Sequence, residues 1–305
     1  MPTYSQRVIA GIALAIGIIV IASASILIRL AQAGDVPSLV IAAVRLGISA
    51  TVLSVIVAVT HQSFPHGVTR KQAGLAVIAG TCLALHFATW IQSLEYTSVA
   101  SSAALVTTNP LWVGIVAWLL FGEKLNRWRV MGMFMTIVGS LAIAFSDSQT
   151  QQGSNPLLGN ALAIIGAMSG SAYFLVGRGL RNQLPLLHYV WMTYGSAAIV
   201  LLIAALSTGD TRMDYPVEIW LVLLGLAVGP QLIGHTTINF AMRHFSALLV
   251  TIAILGEPVG SAILAFILFD EAVAAIQLVG FVSLLIGITI TAIGETKQHH
   301  EPQST

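Results

Sequence analysis

The sequence predicts an all-α membrane protein: ten transmembrane helices built as two inverted five-helix repeats. Three observations carry that expectation. Apolar residues make up 56% of the 305 and charged residues 8%, with a mean hydropathy of +0.89. A soluble domain carries about 25% charge, so this chain cannot cover a water-facing surface. Its second half repeats its first, and its basic residues gather at alternate breaks between apolar runs.

Taken in order, the apolar stretches lie at 8–28, 38–59, 73–94, 97–121, 129–146, 157–177, 186–206, 217–239, 245–269 and 274–294. Each suits a helix crossing a hydrocarbon core of about 30 Å. The breaks between them carry charge, Pro, Gly or Ser. The first stretch has Arg7 ahead of it and is too long for a cleaved leader, so it reads as a retained helix. The longest polar break runs from Ser146 to Asn155. It divides the chain into a first repeat at 1–147, a linker at 148–156, a second repeat at 157–295 and a cytoplasmic tail at 296–305.

Laid over each other, the halves match almost without a gap. Gly11 meets Gly159, Ser23-Ala24 meets Ser171-Ala172, Pro37 meets Pro185, Gly47 meets Gly195, and Pro110 meets Pro258. Phe121, Glu123, Gly132 and Gly139 meet Phe269, Glu271, Gly280 and Gly287. About one paired position in five is identical. Such duplication of an apolar unit marks transporters built from repeats. Five crossings per repeat is odd, so the halves enter the membrane in opposite senses. With the N-terminus inside, the inner segments hold Arg7, Arg70, Lys71, Lys124, Arg127, Arg129, Arg178, Arg181, Arg243 and Lys297, and the outer ones Arg29 and Arg212. This is the positive-inside pattern, with both termini cytoplasmic and the chain in the cell membrane.

Particular runs carry a family likeness. Glu95-Tyr96-Thr97-Ser98-Val99-Ala100, Asn109-Pro110-Leu111-Trp112 and Phe121-Gly122-Glu123-Lys124-Leu125 have their second-half counterparts in Leu255-Gly256-Glu257-Pro258-Val259 and Phe269-Asp270-Glu271. With Gly280 and Gly287, the chain resembles the EamA-type permeases of the drug/metabolite transporter superfamily over nearly its whole length. The resemblance implies two inverted five-helix bundles around a central cavity, alternating access, and a cavity lined mostly by helices 1, 3, 4, 6, 8 and 9. It names no substrate, since the family spans amino acids, sugars, nucleosides, polyamines and drugs. Asp270 stands where the first repeat has Gly122, a departure at one turn.

Glu257 is the sharpest candidate residue. An acid inside a span costs at least ~2.5–3.5 kcal/mol on insertion scales and belongs against a polar interior. It reads as a proton-binding carboxylate, or as a structural one beside the backbone groups that Pro258 loosens; its repeat mate, Asn109, is neutral. Arg45, a basic residue within a span, is either an anion anchor, since guanidinium grips carboxylates in a fork, or a structural arginine. His86 and Trp90 share one face of the third helix, and Gln231, His235 and Asn239 form a stripe on the eighth. They read as cavity-lining, substrate-binding residues, with the histidines as a pseudo-symmetric pair; cross-helix hydrogen bonding is the bland alternative. Asn109, Trp112 and Tyr173 complete the substrate-binding set, the aromatics by analogy with cavity-lining helices.

Several chemistries are excluded. No acid or Cys stands at ligand spacing beside the histidines, so no metal is expected, and no cofactor. His299-His300-Glu301 lies in a polar, disordered tail. The net charge of +1 and the lack of a basic run argue against nucleic acid. Phosphate-binding and hydrolase motifs are absent. One cysteine, Cys82, forbids an intrachain disulfide.

The expected function is therefore secondary transport of a small organic metabolite, amino-acid-like or drug-like, across the cytoplasmic membrane. Export, with proton coupling as one driving force, is favoured over import. A membrane-embedded enzyme and a non-transporting scaffold are the readings from other classes. The expected partners are a small-molecule substrate, the bilayer and protons, and the chain works as a monomer or homodimer.

Overall fold

The computed structural model describes residues 4–60, 68–121, 126–150, 153–209, 212–242, 244–245, 250 and 253–300. Helices account for nearly all of them, and no strand occurs among the described residues. The first apolar run forms two helices, α1 (Tyr4–Ala22) and α2 (Ala24–Ala33), followed by α3 (Ser38–Val59) and α4 (Arg70–Ser93). The fourth run is also split, into α5 (Val99–Val106) and α6 (Asn109–Phe121). Then come α7 (Arg127–Thr150), α8 (Pro156–Gln183) and α9 (Leu186–Ser207). The eighth run is α10 (Val217–Leu226), a π-helical stretch (Ala227–His235) and α11 (Thr236–Ala241). The chain ends with α12 (Gly256–Phe269) and α13 (Ala275–His300).

Local chemistry explains the starts. Thr69 and Gln72 form a reciprocal capping box on α4, and the Ser98 hydroxyl accepts from Ser101 N on α5. Asn155 caps α8 ahead of Pro156, where a missing N–H costs nothing. Two differences from the sequence expectation concern ends. The α7 helix runs on to Thr150 and α13 to His300, past the expected linker start at 148 and through much of the tail expected to be disordered. A helix that leaves the bilayer keeps its own hydrogen bonds and need not stop where apolar residues do. Residues 122–125 of the Phe121–Leu125 motif, with Arg243, lie outside the described residues.

Among the described residues, eight helical stretches are long and apolar enough to cross a membrane, and Gly256–Phe269 and Ala275–Ile290 are shorter apolar helices. Side chains such as Ile19, Leu141, Ile203 and Val279 face outward, while Arg45, Ser49, Gln231 and Glu257 are buried. Polarity thus runs opposite to that of a soluble protein, as lipid-facing helices require.

The helices pair across the two halves: α7 against α13, α4 against α8, and α3 against α9. The α7–α13 contact is built on glycine. A Cβ at Gly139 would lie 2.7 Å from Gly280 O, and one at Gly287 would lie 2.7 Å from Gly132 O. The repeat mates 132/280 and 139/287 therefore exchange partners, and the register runs antiparallel. Ser283 adds a hydrogen bond to Met135 O.

One end of the bundle is tied by polar contacts. Arg29, in α2, pairs with Glu271 at 3.2 Å and donates to Thr97 O at 2.7 Å. The second Glu271 oxygen accepts from Val99 N, at the start of α5. Ser38 donates to Glu95, and Gln277 donates to Ser101.

Candidate functional site

Interrupted helices carry several of the candidate residues. Thr107 and Thr108 turn their hydroxyls back onto Ala104 O and Leu105 O, and α6 restarts at Asn109-Pro110. The mate segment breaks at Leu255, so Glu257 lies in the first turn of α12, with Pro258 beside it. Both prolines sit in a first turn, where no intrahelical N–H is lost. The sequence expectation put Glu257 midway along one continuous helix; the broken helix instead puts it at a half-helix N-terminus. Matched breaks in two repeats are the best sequence-level pointer to a transporter site.

The third break is the π-helical stretch. Pro230 lies inside it and supplies no N–H, and the wider turn lets Gln231 reach across to α3. Arg45 donates from Nε to Gln231 Oε1 at 2.8 Å. Its guanidinium lies 4.1 Å over the Phe87 ring and 6.0 Å from that of Trp90. Ser49 bonds Ala227 O and Arg45 O, locking α3 to the same stretch. The Arg45 side chain is fully buried, yet Nη1 and Nη2 have no hydrogen-bond partner among the described residues. A hydrogen bond to a charged group contributes about 1.5–3 kcal/mol and a desolvated cation–π contact about 2. These offset the insertion cost of the charge, while the two idle nitrogens still cost about 1–3 kcal/mol each.

His86 hydrogen-bonds Gly166 O through Nδ1 at 2.8 Å, so that nitrogen carries the proton and Nε2 is left to act. The ring stacks on Trp90, with centroids 5.9 Å apart. His86 and His235 both meet Phe87 edge-on, at 4.8 and 5.5 Å between centroids. The expected histidine pair therefore shares a neighbourhood through the Phe87 ring. Asn239 donates to His235 O at 2.9 Å and to the Tyr173 hydroxyl at 3.4 Å. Tyr173 stacks on Tyr189. Glu257 is 8% exposed and within electrostatic reach of Arg45, but it makes no ion pair with it among the described residues.

Asn109 accepts from Ser171 at 3.1 Å and, with His86, packs against Gly170. Trp112 donates to Thr108 one turn back and is joined to the Arg45 group by no contact among the described residues. Phe87 and Tyr194 escaped the sequence reading. Phe87 looks like any core aromatic in an apolar helix. Tyr194, buried and within electrostatic reach of Arg45, Gln231, Thr236 and Tyr173, shows itself only as a phenol in an apolar stretch. No cluster of three or more His, Cys, Asp or Glu able to hold a metal occurs among the described residues.

A concavity of about 500 Å³ lies elsewhere, lined by Ala43, Gly47, Ser54, Gly195 and Leu202 between α3 and α9. Its wall is apolar and it carries none of the groups above.

Comparison with known proteins gives one consistent answer. The EamA-like transporter family matches residues 9–145 and again 157–293. The uncharacterized transporter YyaM of Bacillus subtilis is 23% identical over 83% of this chain and 83% of its own length. The pseudopaline exporter CntI of Pseudomonas aeruginosa is 22% identical over 75% of this chain and 78% of its own. A crystal structure 16% identical in sequence superposes with a TM-score of 0.66 over 98% of this chain and 100% of that one, a likeness of fold.

Proposed function

The chain belongs to the EamA-like transporter family, and from that premise we propose that it exports a small organic metabolite across the cytoplasmic membrane by alternating access of two inverted five-helix repeats. The single observation that carries this reading is the polar centre buried inside the bundle. Arg45, His86, Gln231, His235 and Glu257 are gathered inside a bundle whose outer face is apolar. A merely structural bundle has no use for so many costly groups at that depth.

Two further observations support the details. The antiparallel exchange of glycine partners between α7 and α13 is what an axis in the membrane plane produces. Repeat mates in a parallel pair would meet like with like. Ten crossings follow when the shorter α12 and α13 count as spans, and the positive-inside pattern then puts both termini in the cytoplasm. Export is favoured by the likeness to a protein named as an exporter. In this mechanism Glu257 takes up a proton in one state and releases it in the other. Coupling requires substrate and proton to bind the two states unequally.

The test compares culture-medium metabolites from cells overproducing the wild type, Glu257→Gln, or neither, at equal membrane abundance. A compound enriched outside with the wild type, and at least about 10-fold less with the variant, fits the proposal. A compound depleted from the medium instead makes the chain an importer of the same fold.

A further inference from the structure

Arg45 presents a buried, oriented fork. Its Nε is fixed by Gln231, its flat face by Phe87, and its two terminal nitrogens are buried without a hydrogen-bond partner among the described residues. Both ends of the side chain are thus oriented before any ligand arrives, and preorganisation is what raises affinity for a planar anion.

We propose, resting on the transport reading above, that Arg45 is the carboxylate anchor of the transported molecule. The substrate is a small zwitterion of the α-amino-acid type: its carboxylate takes Nη1 and Nη2, and its ammonium group faces Glu257.

Three features select this chemistry. The paired geometry of the free nitrogens matches two carboxylate oxygens in a bidentate bond. Charge balance disfavours a phosphate monoester. Among the groups of this cluster Arg45 is the single guanidinium or ammonium, so a dianion would meet one cation and leave its second charge unbalanced. A zwitterion instead offers a carboxylate to Arg45 and an N–H donor to the buried Glu257 carboxyl. The rings beside the fork are those of Phe87 and Trp90, which suit the apolar side chain of the substrate.

The experiment uses the purified full chain in lipid nanodiscs and reads binding by Trp fluorescence and by thermal midpoint. The probes are L-leucine, L-phenylalanine, their amides, isoamylamine, 4-methylpentanoate and inorganic phosphate. The free amino acids are expected to bind. The amides and the amine, which lack a carboxylate, are expected to bind at least about 10-fold more weakly, and phosphate to give no response. Arg45→Gln abolishes the preference for acid over amide. Arg45→Lys keeps the charge but loses the fork, and weakens the acids about 10-fold. In Glu257→Gln the advantage of leucine over 4-methylpentanoate disappears. If Arg45→Gln does not fold, the wild-type discrimination and Arg45→Lys still decide.

Equal binding of amide and acid, a phosphate response matching that of leucine, or no binding of any amino acid overturns the proposal. The export assay above separates the two claims. A compound exported while no acid binds removes the anchor and keeps the transporter. Acid binding without flux in either direction keeps the anchor and removes the transporter.

Discussion

At the scale of single residues, the candidate site is built on an arginine held in place by neutral groups. Gln231 supplies the acceptor for Arg45 Nε, and Gln231→Leu leaves that donor idle in a buried setting. The expected cost is about 1.5–3 kcal/mol, measured by denaturant titration in micelles. An unchanged midpoint would mean that the bond carries no weight. Trp112 serves as the counter-example: its indole donates to Thr108 in the break one turn back, so Trp112→Phe is expected to leave transport within about twofold of wild type. The sequence exposed Arg45, Glu257, His86 and the Gln231–His235–Asn239 stripe because charged and polar side chains are conspicuous in apolar helices. It hid Phe87 and Tyr194, whose roles come from what lies across the bundle and not from their own type. It also could not place Trp112 outside the Arg45 group, because spacing along one helix says nothing about which neighbour the helix meets.

Helices and their junctions carry the next level. The close crossing of α7 and α13 depends on the absence of a Cβ at Gly139, where added atoms would meet Leu284 N at 2.6 Å. Gly139→Leu forces the pair apart and is expected to cost about 1–3 kcal/mol, seen as a lower thermal midpoint. Gly47 has nothing within 4 Å of a built Cβ, so Gly47→Ala should leave the midpoint unchanged or raise it, since Ala is the better helix former by up to ~1 kcal/mol. Equal losses at both positions would contradict the packing described. The knot around Glu271 can be divided in the same way. Glu271→Gln removes the charge pairing with Arg29, a partly exposed bridge of side chains 27% and 18% accessible, and should cost under ~1 kcal/mol. Glu271→Ala also strips the acceptor from Val99 N, adding about 1 kcal/mol as a lost N-cap does. The eight long apolar helical stretches found among the described residues were legible from hydropathy. The breaks at Ser23, Thr107–Thr108 and Leu255, and the π-helical stretch, were not. Pro110, Pro230 and Pro258 mark sites where backbone bonding must change, but hydropathy averages over them.

The whole molecule is a unit present twice, with α7 and α13 packed antiparallel, and its orientation in the membrane is open to direct labelling. In a Cys82→Ser background, Asp214→Cys sits in the loop before α10, at a side chain 78% accessible, and Lys71→Cys sits at the start of α4. A membrane-impermeant maleimide added to intact cells is expected to label the first and not the second; the reverse pattern would invert the topology. The repeat itself was the most legible feature of the chain, because proline, glycine and glutamate recur at matched positions. Sequence could not supply the exchange of partners between Gly139–Gly280 and Gly132–Gly287, which is a property of the assembled pair.

The central claim is that the polar centre carries a molecule across the bilayer. The most direct measurement is efflux from cells overproducing the wild type, Arg45→Gln or Glu257→Gln at matched abundance, with a topologically neutral variant such as Gly47→Ala as control. A compound that accumulates outside with the wild type and the control, and falls at least about 10-fold with both site variants, is the result expected. Efflux that survives both substitutions unchanged would contradict the account, since transport would then bypass the buried polar groups Arg45 and Glu257.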